Sequence, residues 1–255
     1  MKMSFPPASI VLVLMFVSMT GCSHLPGKPG PAVLRPDQVL DFSTLYKQNC
    51  SACHGNDGKN GAAIALADPV YLAWAGENNL RQITANGVPH KLMPAFARSA
   101  GGMLTDQQIN KLVHGMLTQW GQAGILSNQN APPYAATSKG DAAQGKKAFR
   151  VFCSSCHIAS TDGTSAVSSS AAGSITVGSI TDPSYLALVS AQDLRTITVV
   201  GMPSYKMPDW RGDVPGRPMT DKEVTDVVAW LISLRVQFPG QTFPNRIQSR
   251  HGSRQ

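Results

Sequence analysis

Two copies of one short pattern, Cys-x-x-Cys-His, constrain this chain more than any other feature. They lie at 50–54 (CSACH) and 153–157 (CSSCH). Two thiols three residues apart lie on one helical turn, where both can reach the vinyl groups of one porphyrin, and the next residue can bind its iron. The pattern therefore predicts two covalent haem c groups, held by Cys50, Cys53, Cys153 and Cys156, with His54 and His157 as axial ligands.

Other uses of paired cysteines fit this sequence less well. Zinc sites usually bring two such pairs within about 20 residues of each other, whereas Cys50 and Cys153 are 103 positions apart. A thioredoxin-like redox motif needs a surrounding βαβ pattern, which we do not find. Structural disulfides would not require a histidine directly after each pair.

The first 22 residues resemble a bacterial export signal that ends in a lipid-attachment site. Lys2 supplies a positive charge, and the apolar run 10–19 is too short to span a bilayer. The run ends in small residues before Cys22, which resembles the lipobox of lipoproteins. We therefore expect a signal peptide over 1–21, an acylated Cys22 and a Gly/Pro-rich tether over 22–36. The alternative is an ordinary secretory signal with a stray cysteine.

The sequence after the tether repeats itself once. Residues 68–73 (DPVYLA) match 182–187 (DPSYLA), and 80–84 (LRQIT) match 194–198 (LRTIT), both with an offset of 114. The motif cysteines are offset by only 103, so the second copy has 11 extra residues. These fall in the Ser/Ala/Gly-rich stretch 160–178, where we expect a flexible surface loop. A repeat of this length indicates tandem domains from a duplication.

Helix signals mark the bounds of the two domains. Capping boxes at Thr105 and Thr220 precede amphipathic runs. Further helices are expected over 37–49, 70–75, 77–86 and 141–152. Residues 122–140, rich in Asn, Gln, Pro, Ala and Ser, predict a linker that would let the domains approach each other or separate partners. The predicted domains are 37–121 and 141–238, followed by a polar tail over 239–255.

Each copy resembles class I cytochrome c in its order of a leading helix, the cysteine–histidine motif, short middle helices, a Met-Pro loop and a last amphipathic helix. The resemblance covers nearly all of residues 37–238. It implies an all-α fold with two tandem domains, each wrapped around one haem. In the family, a methionine before the last helix is usually the sixth iron ligand. Met93 and Met207 occupy matching places; His90 competes for the first haem, and Met202 or Met219 competes for the second.

The family resemblance also implies a close crossing of the first and last helices, with a glycine on one and an aromatic ring on the other. In the second copy these residues are Gly145 and Trp230. The corresponding positions of the first copy hold Phe42 and Gly115. The large and small partners are therefore expected to be exchanged between the two domains.

The implied His and Met ligands favour electron transfer, since they would saturate each iron. We therefore expect an electron carrier and not an enzyme, with no catalytic residue and no small-molecule substrate. The expected partners are redox proteins or a membrane oxidoreductase complex, met as a free shuttle or a fixed subunit on the periplasmic face of a bacterial membrane. A diheme peroxidase or a sulfur-compound oxidising enzyme is the alternative. The formal charge of +7 comes from scattered Lys and Arg residues, so we expect no nucleic-acid partner.

Overall fold

The structure is a computed structural model that describes residues 33–89, 91–157, 166–170, 173–177, 179–212 and 214–236. The predicted signal peptide, Cys22, His90 and the polar tail from 239 lie outside these ranges. Residues 33–38 belong to a separate unit and end in one 3₁₀ turn, Pro36–Gln38. Both cysteine–histidine motifs lie in the unit that begins at Val39. No helix in the described ranges has the length and apolar character needed to cross a membrane.

The first repeat is built from four helical segments. They are α1 (Phe42–Asn49), α2 (Ser51–His54), α3 (Pro69–Asn86) and α4 (Asp106–Trp120), with a 3₁₀ turn at Arg98–Ala100 before α4. The predicted helix start at residue 37 is wrong. Helix α1 begins after Asp41, whose carboxylate accepts a hydrogen bond from the Thr44 backbone N–H at 2.8 Å and so caps the helix.

A glycine breaks α3 at the point where the sequence predicts two helices. Gly76 has φ +71°, a left-handed conformation that side chains other than glycine rarely adopt. The segments on either side correspond to the predicted helices over 70–75 and 77–86. In the second repeat the matching position is Ser190, which instead caps a separate helix and forms a capping box with Asp193.

The second repeat contains α5 (Ala142–Phe152), α6 (Pro183–Leu188), α7 (Ala191–Val200) and α8 (Asp221–Ser233), with a 3₁₀ turn at Pro203–Tyr205. Both predicted capping boxes are present. The side chains of Thr105 and Thr220 accept hydrogen bonds from the backbone N–H of Gln108 and Glu223, and the side chains of those residues accept in return. The helices of both repeats confirm the predicted all-α fold.

The extra residues of the second repeat contain a β-hairpin where we predicted a flexible loop. Strands β1 (Ala166–Ser170) and β2 (Gly173–Val177) pair antiparallel, with Ala166 opposite Val177 and Ser170 opposite Gly173. The prediction was wrong because it followed the Ser/Gly content of the whole stretch. The segment 173–177 (GSITV) carries three β-branched residues, the type that favours strands.

The first and last helices cross closely in both repeats, and the exchange of large and small residues is confirmed. A Cβ atom added to Gly115 would lie 2.1 Å from Cδ2 of the Phe42 ring. A Cβ atom added to Gly145 would lie 1.9 Å from the backbone oxygen of Asp226 and 2.8 Å from Cβ of Trp230. Glycine is therefore required at both crossings, on α4 in the first repeat and on α5 in the second.

The predicted linker does not separate the two repeats. Helices α3 and α7 pack directly against each other, and the Lys91 ammonium donates to the Ala187 carbonyl at 3.2 Å. Within the linker, Pro132 is buried, and its carbonyl accepts a hydrogen bond from Trp74 at 2.6 Å. The two domains are thus in contact, which is one of the two arrangements expected of the linker, and the middle of the linker is packed and hydrogen-bonded to both repeats.

Candidate metal centres

Each cysteine–histidine motif forms one helical turn that continues from the leading helix. In the first motif, the Cys50 N–H donates to the Tyr46 carbonyl at 2.8 Å and the His54 N–H donates to the Cys50 carbonyl at 3.0 Å. In the second motif, the His157 N–H makes the same bond to the Cys153 carbonyl at 2.8 Å. The leading cysteine of each motif is half-buried, and the second one (Cys53 and Cys156) is exposed. Both motifs thus present two thiols and one imidazole from a single turn.

The imidazole of His54 is buried and held in one tautomer. Its Nδ1 lies 2.8 Å from the Ile64 carbonyl oxygen. A carbonyl can only accept a hydrogen bond, so Nδ1 carries the proton and Nε2 keeps its lone pair. Burial lowers the pKa of His54, and the bond to Ile64 offsets part of that shift. The side chain is therefore neutral near pH 7, as an iron ligand must be.

His157 occupies the same place in the second motif, with one difference. Its Nδ1 atom is buried and has no hydrogen-bond partner within the described part of the chain. The residue that corresponds to Ile64 at the offset of 114 is Gly178, which lies outside the described residues. Burial lowers the pKa of His157 as well. Both motifs therefore place a neutral imidazole next to their cysteines.

The arrangement of the thiols and imidazoles does not suit a zinc site. Structural zinc is held by four ligands, mostly cysteine and histidine, and the described ranges contain no cluster of three or more His, Cys, Asp or Glu side chains that could hold a metal ion. Burial, together with the neighbouring Cys53, raises the pKa of Cys50 to about 11. The two motifs stay separate sites.

The two Met-Pro loops close in the same way. The carbonyl of Met93 accepts from the Val88 N–H at 3.0 Å, and the carbonyl of Met207 accepts from the Met202 N–H at 3.0 Å. Each loop starts at a glycine with positive φ, +66° at Gly87 and +76° at Gly201. A Cβ atom at either glycine would lie 2.7 Å from the carbonyl oxygen of the candidate methionine. Glycine thus allows the chain to fold back onto the Met-Pro pair in both repeats.

The competing ligands differ in their surroundings. Met219 is 2% exposed and belongs to the core, which is the usual role of a buried methionine. Met202 is half-buried and lies in the same loop as Met207, to which it pairs through the backbone. Met93 and Met207 are both half-buried. Their role as distal ligands stays a prediction.

These residues fit haem c by the chemistry of their donor atoms. Each motif offers two thiols for thioether bonds, a neutral imidazole, and a methionine loop closed by a glycine. When bound, a haem c would supply one iron that gains and loses a single electron. The sequence did not identify Ile64 as part of the site. Ile64 binds His54 through its backbone carbonyl, which every residue type has, so its side chain gives no indication of this role.

Comparison with known protein families decides what the two repeats are. Residues 37–114 match the family described as cytochrome c oxidase, cbb3-type, subunit III, and residues 142–235 match the family described as cytochrome c. The chain is a diheme c-type cytochrome with two tandem cytochrome c domains. The predicted family, the fold class and the two haem c groups are thereby confirmed.

The curated relatives of this diheme cytochrome are oxidase subunits. It is 33% identical over 100 residues to the cbb3-type cytochrome c oxidase subunit FixPc of Rhizobium leguminosarum bv. viciae. The aligned region covers 38% of this chain and 31% of that relative. It is 28% identical to the subunit FixP of Sinorhizobium medicae, over 48% of this chain and 39% of the relative. The cytochrome therefore spans about a third of the length of the curated relatives it matches.

A solved structure shows a more distant likeness. The reducing HAO-like protein complex of Kuenenia stuttgartiensis aligns with a TM-score of 0.40 and 16% identity, over 82% of this chain and 100% of that one. At this distance the likeness has no bearing on function.

The relatives correct one prediction. The sequence led us to expect an electron carrier that is not an enzyme, but all three curated relatives are subunits of an enzyme, a cbb3-type cytochrome c oxidase. The prediction that the chain is not an enzyme is therefore contradicted by its similarity to subunits of an enzyme. The expectation of electron transfer agrees with the cytochrome c families that the two domains match.

Replacing the candidate distal ligands should lower the reduction potentials of the haems one at a time. Methionine raises the potential of haem iron relative to harder ligands. We expect Met93→Ala and Met207→Ala each to lower one potential by on the order of 0.1–0.3 V, within the range of about 0.8 V that axial ligation spans. Each variant should also remove about half of the sulfur-to-iron charge-transfer band. A redox titration followed by visible absorption measures both effects.

The buried Met219 supplies the matched control for that titration. Met219→Leu keeps the core filled and should leave both potentials unchanged. If Met202→Ala lowers the second potential and Met207→Ala does not, the second distal ligand is Met202. The same comparison between Met93→Ala and His90→Ala decides the ligand of the first haem.

Proposed function

We propose that this diheme cytochrome delivers electrons to a membrane-bound oxidase of the cbb3 type, as a subunit or as a closely associated partner. The observation behind this proposal is the pairing of two cytochrome c domains in direct contact, the first of which matches subunit III of such an oxidase. Two adjacent one-electron centres in one chain suit a relay between a donor and an acceptor.

We propose the residues that form each centre from the geometry described above. Cys50 and Cys53 would attach the first haem, and Cys153 and Cys156 would attach the second. His54 and Met93 would bind the first iron, while His157 and Met207 would bind the second. The support is the matching helical turn in both motifs, the neutral imidazoles and the equivalent closure of the two Met-Pro loops.

A reoxidation assay tests the proposed partner. The full-length holoprotein is reduced, mixed in air with membranes that contain a cbb3-type oxidase, and followed through its haem absorption. We expect rapid reoxidation that cyanide, an inhibitor of the oxidase, abolishes. Membranes prepared without the oxidase are the control. Equal reoxidation rates with both membranes would contradict the proposal, and so would a failure to reoxidise with either.

The proposed location is the periplasmic side of a bacterial membrane, with a lipid on Cys22. The short apolar run over 10–19 and the small residues before Cys22 support this proposal. We expect Cys22→Ser to move most of the protein from the membrane fraction to the soluble periplasmic fraction, because acyl chains would no longer anchor it. Fractionation with intact-mass measurement checks this. Equal membrane recovery of the variant and the original protein, with no acyl mass on Cys22, would contradict it.

A further inference from the structure

Three consecutive linker residues, Pro132, Pro133 and Tyr134, are bound by side chains from both cytochrome domains. We call this segment the linker clip. On the first domain, the Trp74 indole N–H donates to the Pro132 carbonyl at 2.6 Å. The rings of Trp74 and Tyr134 also contact each other, with centroids 4.9 Å apart. Trp74 is only 8% exposed, so this donor is satisfied by the linker and not by water.

On the second domain, the same segment is bound by Arg195 and Gln192. The Arg195 guanidinium donates to the Pro133 carbonyl from Nη2 at 2.7 Å and from Nε at 3.0 Å. The Tyr134 carbonyl accepts from Arg195 Nε at 3.1 Å and from Gln192 Nε2 at 2.9 Å. Consecutive carbonyls of the clip are thus divided between the domains, the first to Trp74 and the next two to Arg195 and Gln192.

The charge of Arg195 is compensated where it is buried. Its side chain is 3% exposed, and Nη2 also forms an ion pair with the Asp221 carboxylate. Its Nη1 donates to the Thr225 hydroxyl at 3.0 Å. Asp221 accepts a further bond from Thr137 at 2.7 Å. Burial would raise the pKa of Asp221, but the bonds from Thr137 and Arg195 outweigh it and hold that pKa below its usual range. The buried guanidinium therefore has a partner for each nitrogen.

The first domain shows that the fold itself does not require these clip contacts. The residue that matches Arg195 is Arg81, whose side chain is 38% exposed and binds Glu77 and Asn110. The residue that matches Trp74 in the second domain is Leu188, which is 68% exposed. The equivalents of Arg195 and Trp74 in the other domain are thus exposed, whereas Arg195 and Trp74 are buried where they contact the linker. A cytochrome domain of this chain does not need a buried residue at either position, so the burial is explained by the linker clip.

One cleft is lined by residues of both domains, and some of these residues contact the candidate centres. Residues of both domains line this cleft, Ile64 and Tyr71 from the first and Met202 and Gly201 from the second. Ile64 holds the imidazole of His54 through its carbonyl, and Met202 pairs with Met207. A change in the relative position of the domains would therefore alter the surroundings of Ile64 and Met202, which contact His54 and Met207.

We propose that Trp74 and Arg195 are positioning residues, which act through the linker clip to hold the two haem domains in one fixed arrangement for electron transfer between them. With both haems bound, the transfer would move one electron from a reduced haem in one domain to an oxidised haem in the other, and no bond would form or break. This proposal rests on the two haem centres assigned under the proposed function, but it needs no particular oxidase partner.

The test uses two conservative variants of the full-length holoprotein. Trp74→Phe keeps an aromatic ring against Tyr134 and removes the indole N–H donor. Arg195→Lys keeps a positive charge near Asp221 and removes the planar guanidinium group that donates to the two linker carbonyls. Pulsed dipolar EPR of the oxidised protein measures the distribution of distances between the two haems. We expect a narrow distribution in the original protein and a broader one in both variants. Chymotrypsin cleavage after Tyr134 should also become about 2–10-fold faster, because each variant weakens hydrogen bonds that hold the segment closed.

Arg81→Lys is the matched control, since it makes the same change at the equivalent position away from the linker. It should leave the distance distribution and the cleavage rate unchanged. Both reduction potentials should stay the same in all three variants, which separates positioning from damage to a haem centre. If Trp74→Phe and Arg195→Lys keep the original distance distribution, the packing of α3 on α7 alone fixes the domains and the proposal is wrong. Failure of the oxidase assay with an intact clip would refute only the proposed partner.

Discussion

A variant that carries both Cys50→Ser and Cys53→Ser is expected to retain one covalent haem and lose the other. Serine cannot form the thioether bonds that attach the porphyrin, and a histidine alone binds haem reversibly. The first domain should also lose stability, because a unit of this size has a small core and would lack the group its helices enclose. Intact-mass measurement counts the haems, and the thermal unfolding curve reports the stability.

The same pair of substitutions in the second motif is the control for this experiment. Cys153→Ser with Cys156→Ser should also leave one haem, and the combination of all four substitutions should leave none. Each variant should lose the mass of one haem per altered motif. Two haem increments in the Cys50→Ser and Cys53→Ser protein would show that the first motif is not an attachment site.

Gly145→Ala should destabilise the second domain more than Gly115→Ala destabilises the first. The added Cβ at residue 145 meets the backbone oxygen of Asp226 at 1.9 Å, so helices α5 and α8 would have to move apart. At residue 115 it meets the Phe42 ring at 2.1 Å, and a side chain can shift more easily than a helix. We expect a loss of about 1–2 kcal/mol at Gly115 and about 3 kcal/mol or more at Gly145, after the small gain in helix propensity from alanine. Urea unfolding of each holoprotein variant measures these free energies.

A second substitution should rescue one of these variants and not the other. Phe42→Leu makes room for the methyl group of Gly115→Ala, so the double variant should lose less stability than the two single changes added together. The matching change at the second crossing, Trp230→Leu, leaves the Asp226 carbonyl in place and should not rescue Gly145→Ala. Equal rescue at both crossings would contradict the different contacts described for the two glycines.

The features that the sequence predicted well are those set by neighbouring residues or by the repeat. The two motifs and the capping boxes at Thr105 and Thr220 are local patterns with a direct structural cause. The exchange of Phe42 and Gly115 became visible because the duplication supplies a second copy for comparison. A single domain would have given no reason to pair those two positions.

Two kinds of feature were predicted poorly from the sequence. Some depend on contacts between residues far apart in the chain, and others depend on one residue whose effect the surrounding composition hides. Residues 122–140 have the composition of a flexible linker, yet Trp74 and Arg195 bind its backbone carbonyls from more than 50 positions away. Every residue has the same backbone carbonyl, so no sequence pattern predicts such hydrogen bonds. Helix α1 begins at Phe42 because Asp41 caps it, although Asp37 offers the same residue type four positions earlier.

The exchanged glycine and aromatic residues also bear on how a duplicated chain avoids pairing the wrong halves as it folds. If α1 packed on α8, Phe42 would meet Trp230, and two large rings would compete for one space. If α5 packed on α4, Gly145 would face Gly115, and the crossing would lack a ring to fill it. Either mismatch is costly, through overpacking in the first case and a cavity in the second. Because tandem copies are prone to misassembly, the exchange makes each leading helix fit only the last helix of its own domain.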